Sequence, residues 1–221
     1  IERGDNPKRK ELLSRFVRPF VLRRRKCDVL PDLPVKTEDL YYTQLVPEQK
    51  TLYQTVASQQ AMPLIRQLRD EGSPIPYMHI FAVLSALKQI CNHPAAYLKD
   101  VANYESYESG KWDSFVELIE EAMESEQKVV VFSQFLAMLD IIELFLKKRK
   151  IGYAQIRGQT KNRGDEISRF HNDPNCKIFL GSLQAAGLGI DLTPASVVIH
   201  YDRWWNAARE NQATDRVHRI G

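Results

Sequence analysis

The apolar positions of this sequence change rhythm halfway along. From Trp112 onward two kinds of run alternate. "KVVVFS" (128–133) is unbroken and apolar, the pattern of a strand buried on both faces. The next run, "LAMLDIIELFLKKRKIG", spaces its apolar residues at helical intervals. Lys147, Lys148, Arg149 and Lys150 gather at its C-terminus, where the helix dipole favours cations, and Gly152 is the candidate left-handed residue beyond it. "YAQIRG" then predicts a strand, "RGDEISRFHN" a helix, "CKIFLGS" and "ASVVIHYD" two more strands, and "AARENQATDRVHR" a closing helix. A helix from Trp112 to about Ser125 leads into the series. Strands alternating with helices predict crossover units on a parallel sheet, so this half is α/β.

The first half reads differently. "ELLSRFVRPFVLRRRK" places Leu12, Leu13, Phe16, Val17, Phe20 and Val21 at a partly helical period that Pro19 interrupts. Pro31 and Pro34 in "LPDLPVKTE" mark a linker, and "TEDLYYTQL" predicts a strand. Pro47 opens a helix running to about Leu68, which "EGSPIP" breaks. A second helix, from about Met78 to Cys91, stops before Asn92-His93-Pro94. These helices predict an appendage rather than layers on a sheet.

Composition narrows the reading only in places. A chain of 221 residues suits one large domain, or one domain with a helical appendage. The net charge of +3, from 31 basic and 28 acidic residues, is too small to imply a nucleic-acid partner, so only clustering can do so. Arg15, Arg18, Arg23, Arg24, Arg25 and Lys26 form such a cluster, while the stretch from Glu105 to Glu126 is acid-rich. Cys27, Cys91 and Cys176 are scattered and odd in number, which predicts free thiols in a reducing compartment. Cys91 and His93 have no second ligand pair at zinc spacing, so no metal site is predicted. No apolar run is long enough to span a membrane. A first residue of Ile1, without a leader, predicts an internal piece of an intracellular protein.

The candidate chemistry follows the strands. Ser133 and Gln134 come after the first. Arg157, Gly158, Gln159 and Thr160 follow the second, and Gly181, Ser182 and "AAGLGIDLT" the third. Tyr201, Asp202, Arg203, Trp204 and Trp205 follow the fourth. Ligands of parallel sheets gather beyond strand C-termini. Small polar residues and glycines there let backbone N–H groups approach an anion. Each loop alone reads first as an ordinary turn, which needs Gly and Ser; four on one edge point to a phosphate-rich ligand. In the closing helix Gln212, Arg216 and Arg219 fall at i, i+4 and i+7 and so share a face. Asp215 sits four residues before Arg219 and could pair with it on a solvated surface. Alternatively a guanidinium there stabilises charge on a transferring phosphoryl group. Spacing does not choose between these.

Seven blocks, in order, resemble a known family: "RPFVLRRRKCDVLPDLPVKTE", "LKQICNHP", "SGKWDSFVELI", "KVVVFSQF", "IRGQTKNRGDEISRFH", "FLGSLQAAGLGIDLTPAS" and "VIHYDRWWNAARENQATDRVHRIG". Together they resemble the C-terminal RecA-like lobe of Swi/Snf-type ATPases, helicase-like motors that translocate on double-stranded DNA. "DRWWN" is more similar to the bacterial and archaeal branch. The resemblance covers nearly the whole chain. It implies a RecA-like parallel sheet flanked by helices (residues 35–221), with a helical protrusion over about 47–110. A basic segment over 1–34 would link the two lobes and end the first lobe's protrusion.

The same resemblance implies roles. Arg216 and Arg219 match the arginine-finger motif that reaches to a nucleotide held by the first lobe, and Gln212 belongs to that motif. Gly189 and Asp191 fall beside the nucleotide. Gln134, Gly158, Thr160, Ser182 and Gly187 match contacts to a DNA backbone. The family more often has Gly at Ala186, Asn at Asp191 and Pro at Ala207. The implied ligands are ATP and Mg²⁺, held mainly by the first lobe. The implied partners are double-stranded DNA, that lobe and a nucleoprotein substrate, in a nucleoid or nucleus. The sequence itself has no G-x-x-x-x-G-K-[ST], for Gly110 and Lys111 of "SGKWD" lack the flanking residues. The expectation is a second motor lobe whose isolated form does not turn over ATP; the alternatives are the equivalent lobe of another superfamily-two helicase and a non-catalytic nucleic-acid-binding module.

Overall fold

A computed structural model describes residues 7–21, 35–69, 75–182 and 189–219. The chain divides into two compact units, Ile1–Thr37 and Glu38–Gly221. In the first, helix α1 (Pro7–Val17) runs into a 3₁₀ turn, Arg18–Phe20. Pro19 lacks the N–H that an α-helix would need there. Leu12, Leu13, Phe16, Val17, Phe20 and Val21 are all exposed. Arg23 to Lys26, Cys27, Pro31 and Pro34 lie outside the described residues.

The strand predicted for "TEDLYYTQL" does not form. Residues 35–46 have no regular secondary structure, and Val35, Leu40, Tyr41 and Tyr42 are exposed. Strand propensity is mostly packing against neighbours on a sheet, and this run reaches no sheet edge. Three helical stretches follow. The first, α2 (Pro47–Val56), starts on the predicted proline and passes through one π-helical stretch, Ala57–Ala61, into α3 (Met62–Arg69). The third, α4 (Tyr77–Asn92), ends where His93 turns the backbone extended. The His93 ring then caps the short α5 (Pro94–Leu98) by accepting from the Ala95 amide at 3.2 Å. Gln49 of α2 is 1% exposed and donates to the Ile90 carbonyl at 2.7 Å, tying these helices together.

The second half is α/β as expected. Helix α6 (Gly110–Glu124) precedes β1 (Val129–Ser133); α7 (Leu136–Arg149) leads to β2 (Gly152–Ile156). Then α8 (Arg163–Asn172) leads to β3 (Cys176–Ser182), and β4 (Val197–His200) to α9 (Ala207–Thr214). Among the described residues the sheet has four strands in the order β2-β3-β1-β4, every pair parallel. Val129 to Phe132 have no exposed surface, as their unbroken run predicts. Burial of each such side chain stabilises the fold by about 1.5–3 kcal/mol. Alternation sends Val129 and Val131 to one face, against Ile119 of α6 and Ile142 of α7. Val130 and Phe132 go to the other, against Phe170 of α8 and Ala213 of α9. This division places helices on both faces of the sheet.

Two local expectations are corrected. Lys150, with φ 56°, takes the left-handed position beyond α7 that was expected of Gly152. Gly152 instead opens β2, where a Cβ would stand 2.1 Å from the Asn175 carbonyl oxygen. Its need is for space rather than for a dihedral angle. The closing helix also ends early, at Thr214, with Asp215 as its cap and turns beyond. Gln212 is therefore helical while Arg216 and Arg219 are not, and the three do not share one helical face.

Candidate functional site at the carboxyl edge of the sheet

The strands end level with one another. Ser133 and Ser182 are register partners, and Phe132 is paired with His200 of β4. Beyond them lies Asp202, a carboxylate only 3% exposed. The Ser133 hydroxyl donates to one of its oxygens, and the Gln134 amide donates to the other at 3.1 Å. A buried carboxylate without such donors would be strongly unfavourable. The Gln134 side chain turns the same way, its Nε2 donating to the Arg203 carbonyl at 3.2 Å.

The loop after β2 is held from both ends. The Arg157 guanidinium sits against Asp140 and, at 2.7 Å, Glu143 of α7. Its backbone amide donates to the Thr160 hydroxyl at 2.9 Å. From α8, Arg163 reaches back to the Gly158 carbonyl at 3.1 Å and the Thr160 carbonyl at 3.2 Å. Between these anchors Gly158 is exposed, and a Cβ added to it would meet nothing within 4 Å. Internal packing does not require that glycine, so the open space is available to an approaching ligand backbone. Burial raises the Glu143 carboxyl, but hydrogen bonds from Lys147 and Tyr153 and the charges of Lys147 and Arg157 outweigh it, leaving it below the usual carboxylate value.

The third group lies where the segment after β3 meets the end of α9. Gly189 holds φ +72°, a conformation that L side chains rarely adopt. The Leu192 amide donates to the Arg216 carbonyl at 3.0 Å, which joins the Gly189–Leu192 segment to the residue expected to act as a finger. Asp191 accepts the Thr193 amide at 3.1 Å, and its carbonyl meets His171 at 3.0 Å. Gln212 and Arg219 are exposed and Arg216 is partly buried. Arg219 donates from Nε to the Asp215 backbone carbonyl at 2.9 Å. Gly187 lies outside the described residues.

Two clusters thus emerge from the expected residues: Gln134 and Ser182 with the strand ends, and Gly189, Asp191 and Arg216 with α9. The Gly158–Thr160 loop stands at the other margin of the sheet, beyond β2. Asp202 was read from the sequence only as one of the residues after the fourth strand, and Glu210 was not singled out at all. The signal for Glu210 is an acid on a buried helical face, three residues ahead of the buried Ala213. Nor was Lys111, whose ammonium donates to the Asn92 side chain at 2.7 Å and lies 4.9 Å from the Tyr201 ring centre. Burial lowers the Lys111 pKa against the attraction of Asp202, and burial raises the Tyr201 hydroxyl well above its ordinary value. Tyr201 donates to the Asn92 carbonyl at 2.8 Å, fixing the start of the Asp202 loop to α4.

Among the described residues no group of three or more His, Cys, Asp or Glu could hold a metal ion, and no helix is long and apolar enough to cross a membrane. Residues 110–221 match the helicase conserved C-terminal domain, and residues 3–96 the SNF2-related domain. An uncharacterized ATP-dependent helicase of Mycoplasma pneumoniae is 37% identical over 95% of this chain and 20% of its own length. A putative ATP-dependent helicase/translocase of Bacillus subtilis, YwqA, is 34% identical over 100% of this chain and 24% of its own length. The chain therefore spans only about a fifth to a quarter of these relatives. The Sulfolobus solfataricus SWI2/SNF2 ATPase core in complex with dsDNA matches it with a TM-score of 0.69 and 37% identity, over 99% of this chain and 46% of that one. The C-terminal domain of the Sulfolobus ATPase matches with a TM-score of 0.60 and 33% identity, over 77% and 74% of the two chains. With its parallel sheet, its helices on both faces and these matches, the chain belongs to the Swi/Snf-type helicases, as their C-terminal, RecA-like lobe.

Proposed function

We propose that this chain is the second motor lobe of an ATP-dependent double-stranded-DNA translocase. The observation that carries the reading is the clustering of anion-suited groups along one sheet edge: Gln134 and Ser182 at the strand ends, and Gln212 of α9 with Gly189 and Arg216 beside that helix. The likeness to a SWI2/SNF2 core bound to dsDNA over 99% of the chain supports the choice of ligand.

The residues present fit one wall of a nucleotide site. Gly189 brings bare backbone to the surface, Gln212 and Arg219 are exposed, and the Arg216 carbonyl is tied to Leu192. In this reading Arg216, Arg219, Gln212, Gly189 and Asp191 face Mg²⁺–ATP, whose phosphate cradle and metal ligands come from the first lobe. The bound nucleotide supplies the phosphoryl group transferred to water. Arg216 and Arg219 stabilise the negative charge that builds on the phosphoryl oxygens, which a planar, permanently charged guanidinium does with two aligned donors. Since neither lies in α9, closure of the lobes must place them through the turn after Thr214. Gln134, Gly158, Thr160, Ser182 and Gly187 grip one DNA backbone, so lobe closure and DNA grip change together.

ATP turnover of the full-length protein, with duplex DNA, single-stranded DNA and RNA compared, tests this. Duplex should stimulate most. Arg216→Ala or Arg219→Ala should lower stimulated turnover by about three to five powers of ten for the principal finger, with a smaller loss for the other. DNA affinity without nucleotide and the melting temperature should hold. Full activity in both variants, or loss explained by a collapsed melting temperature, would refute it.

A further inference from the structure

The loop after β4 is pinned at successive residues, and the pins run between parts of the edge assigned to different ligands. Asp202 accepts from the Ser133 hydroxyl and the Gln134 amide. The next carbonyl, that of Arg203, accepts from the Gln134 side chain at 3.2 Å and from Lys88 at 3.3 Å. The Arg203 guanidinium then lies 3.0 Å from Glu210 Oε2, and the Trp204 amide donates to Glu210 Oε1. Asn206 caps α9 by accepting the Ala208 amide at 3.1 Å. Glu210 is 4% exposed, on α9 itself, two residues before Gln212. A carboxylate on the buried side of a helix is unfavourable unless paired. Here its two oxygens are divided between a backbone amide and a guanidinium, so one residue fixes both the loop's path and the seat of the helix.

We infer that Glu210 is a positioning residue that couples the Gln134 end of the edge to the Gln212–Arg216 end. The inference rests on the reading above, in which Gln134 meets DNA and Gln212 and Arg216 face ATP. Each contact along the way is a hydrogen bond or ion pair: Gln134 to the Asp202 carboxylate and the Arg203 carbonyl, then the Arg203 guanidinium and the Trp204 amide to Glu210 of α9. A shift of Gln134 on a DNA backbone moves the loop, and the loop carries α9 through Glu210. Glu210 touches neither proposed ligand, and as long as its Trp204 contact keeps α9 seated, loss of the Arg203 pairing leaves DNA-free turnover intact. The consequence is a residue required for stimulation and dispensable for the unstimulated reaction.

The test uses the full-length protein, with ATP turnover measured without DNA and across a titration of duplex, beside duplex affinity and thermal melting. Glu210→Gln keeps an acceptor for the Trp204 amide and removes the charge facing Arg203. Glu210→Gln and Arg203→Gln should each leave DNA-free turnover within about twofold and lower the plateau at saturating duplex about tenfold, within the range of measured coupling between sites. The double variant should lose no more than either single one, as for two partners in one contact. Duplex affinity should hold. A merely structural role would lower DNA-free and stimulated turnover in proportion, along with the melting temperature, and that result overturns the inference. If Glu210→Gln does not fold, Arg203→Gln decides alone, because its side chain is 66% exposed and its loss leaves the core intact. A normal plateau there, or one recovered simply by adding more duplex, also overturns it. A wild-type protein that duplex does not stimulate overturns the functional reading and the coupling with it.

Discussion

His93 should make the stability of this chain depend on pH between about 4 and 6.5. The ring has no exposed surface, and burial pushes its pKa down from 6.5 to about 4. Nδ1 accepts the Ala95 amide, so the neutral ring carries its proton on Nε2, which is buried and finds no hydrogen-bond acceptor among the described residues. Protonating Nδ1 would break the cap on α5 and place a charge between the rings of Tyr104 and Trp112, whose centres are 6.1 and 5.8 Å away. The sign follows from proton uptake. Between the two pKa values the unfolded chain binds a proton that the folded chain refuses, so stability falls as pH falls. The contribution is fully present above 6.5 and lost by about 4. At about 1.4 kcal/mol per pH unit over this window, the loss is about 3 kcal/mol. Urea unfolding across this range should show the wild type losing stability more steeply than His93→Asn, whose side chain can still cap a helix but does not titrate. The absolute stability of the variant is not the readout; the difference in slope is. Parallel profiles would mean that the ring takes its proton in the folded state as easily as in water, and the reasoning would fail.

Two further outcomes concern the loop after β2. Gly158→Ala should move stability by less than about 1 kcal/mol, since the added methyl meets nothing and the backbone is not left-handed; duplex affinity of the full-length protein should nevertheless fall, and unchanged affinity would return Gly158 to an ordinary turn. Arg157→Ala should cost up to about 1 kcal/mol in melting experiments, a modest sum because Glu143 keeps Lys147 at 2.7 Å and Tyr153 at 2.8 Å. It should also weaken duplex binding as Thr160 and Gly158 lose their anchor, and an unaltered affinity would separate the anchor from the grip.

The sheet was legible because burial on two faces leaves a mark that a single sequence carries. Val129 to Phe132 could be apolar without interruption only where both faces are covered, and they are. "TEDLYYTQL" misled because β-branched and aromatic residues favour a strand only if an edge is offered; its tyrosines stay exposed. Lys150 misled for a related reason. A left-handed residue costs about 1–2 kcal/mol without glycine, and here that position also closes α7 with hydrogen bonds from the Lys150 and Ile151 amides to the last turn. Gly152 was meanwhile claimed by the Asn175 carbonyl, a neighbour 23 positions away that no local pattern reveals.

The site was legible in its position and not in its wiring. That polar residues and glycines follow each strand could be read directly, because a parallel sheet sends every such loop to one edge. Which of them bind each other could not be read. Gln134 is spent partly on the Arg203 carbonyl, and Ser133 serves the Asp202 carboxylate. The same limit explains the closing helix. Helical spacing put Arg216 on the face of Gln212, but a helix continues only while its carbonyls have later amides to accept. After Thr214 the amides turn to nearer carbonyls, Arg216 to Ala213 and Val217 to Thr214, each at 3.0 Å, and the Arg216 carbonyl accepts the Leu192 amide. That bond comes from a residue 24 positions earlier, and it fixes the backbone of the expected finger to the segment that follows β3. An arginine continuing the helix would be carried by α9 alone. Here the segment after β3 and α9 hold Arg216 jointly, so a motion of either one must reposition it.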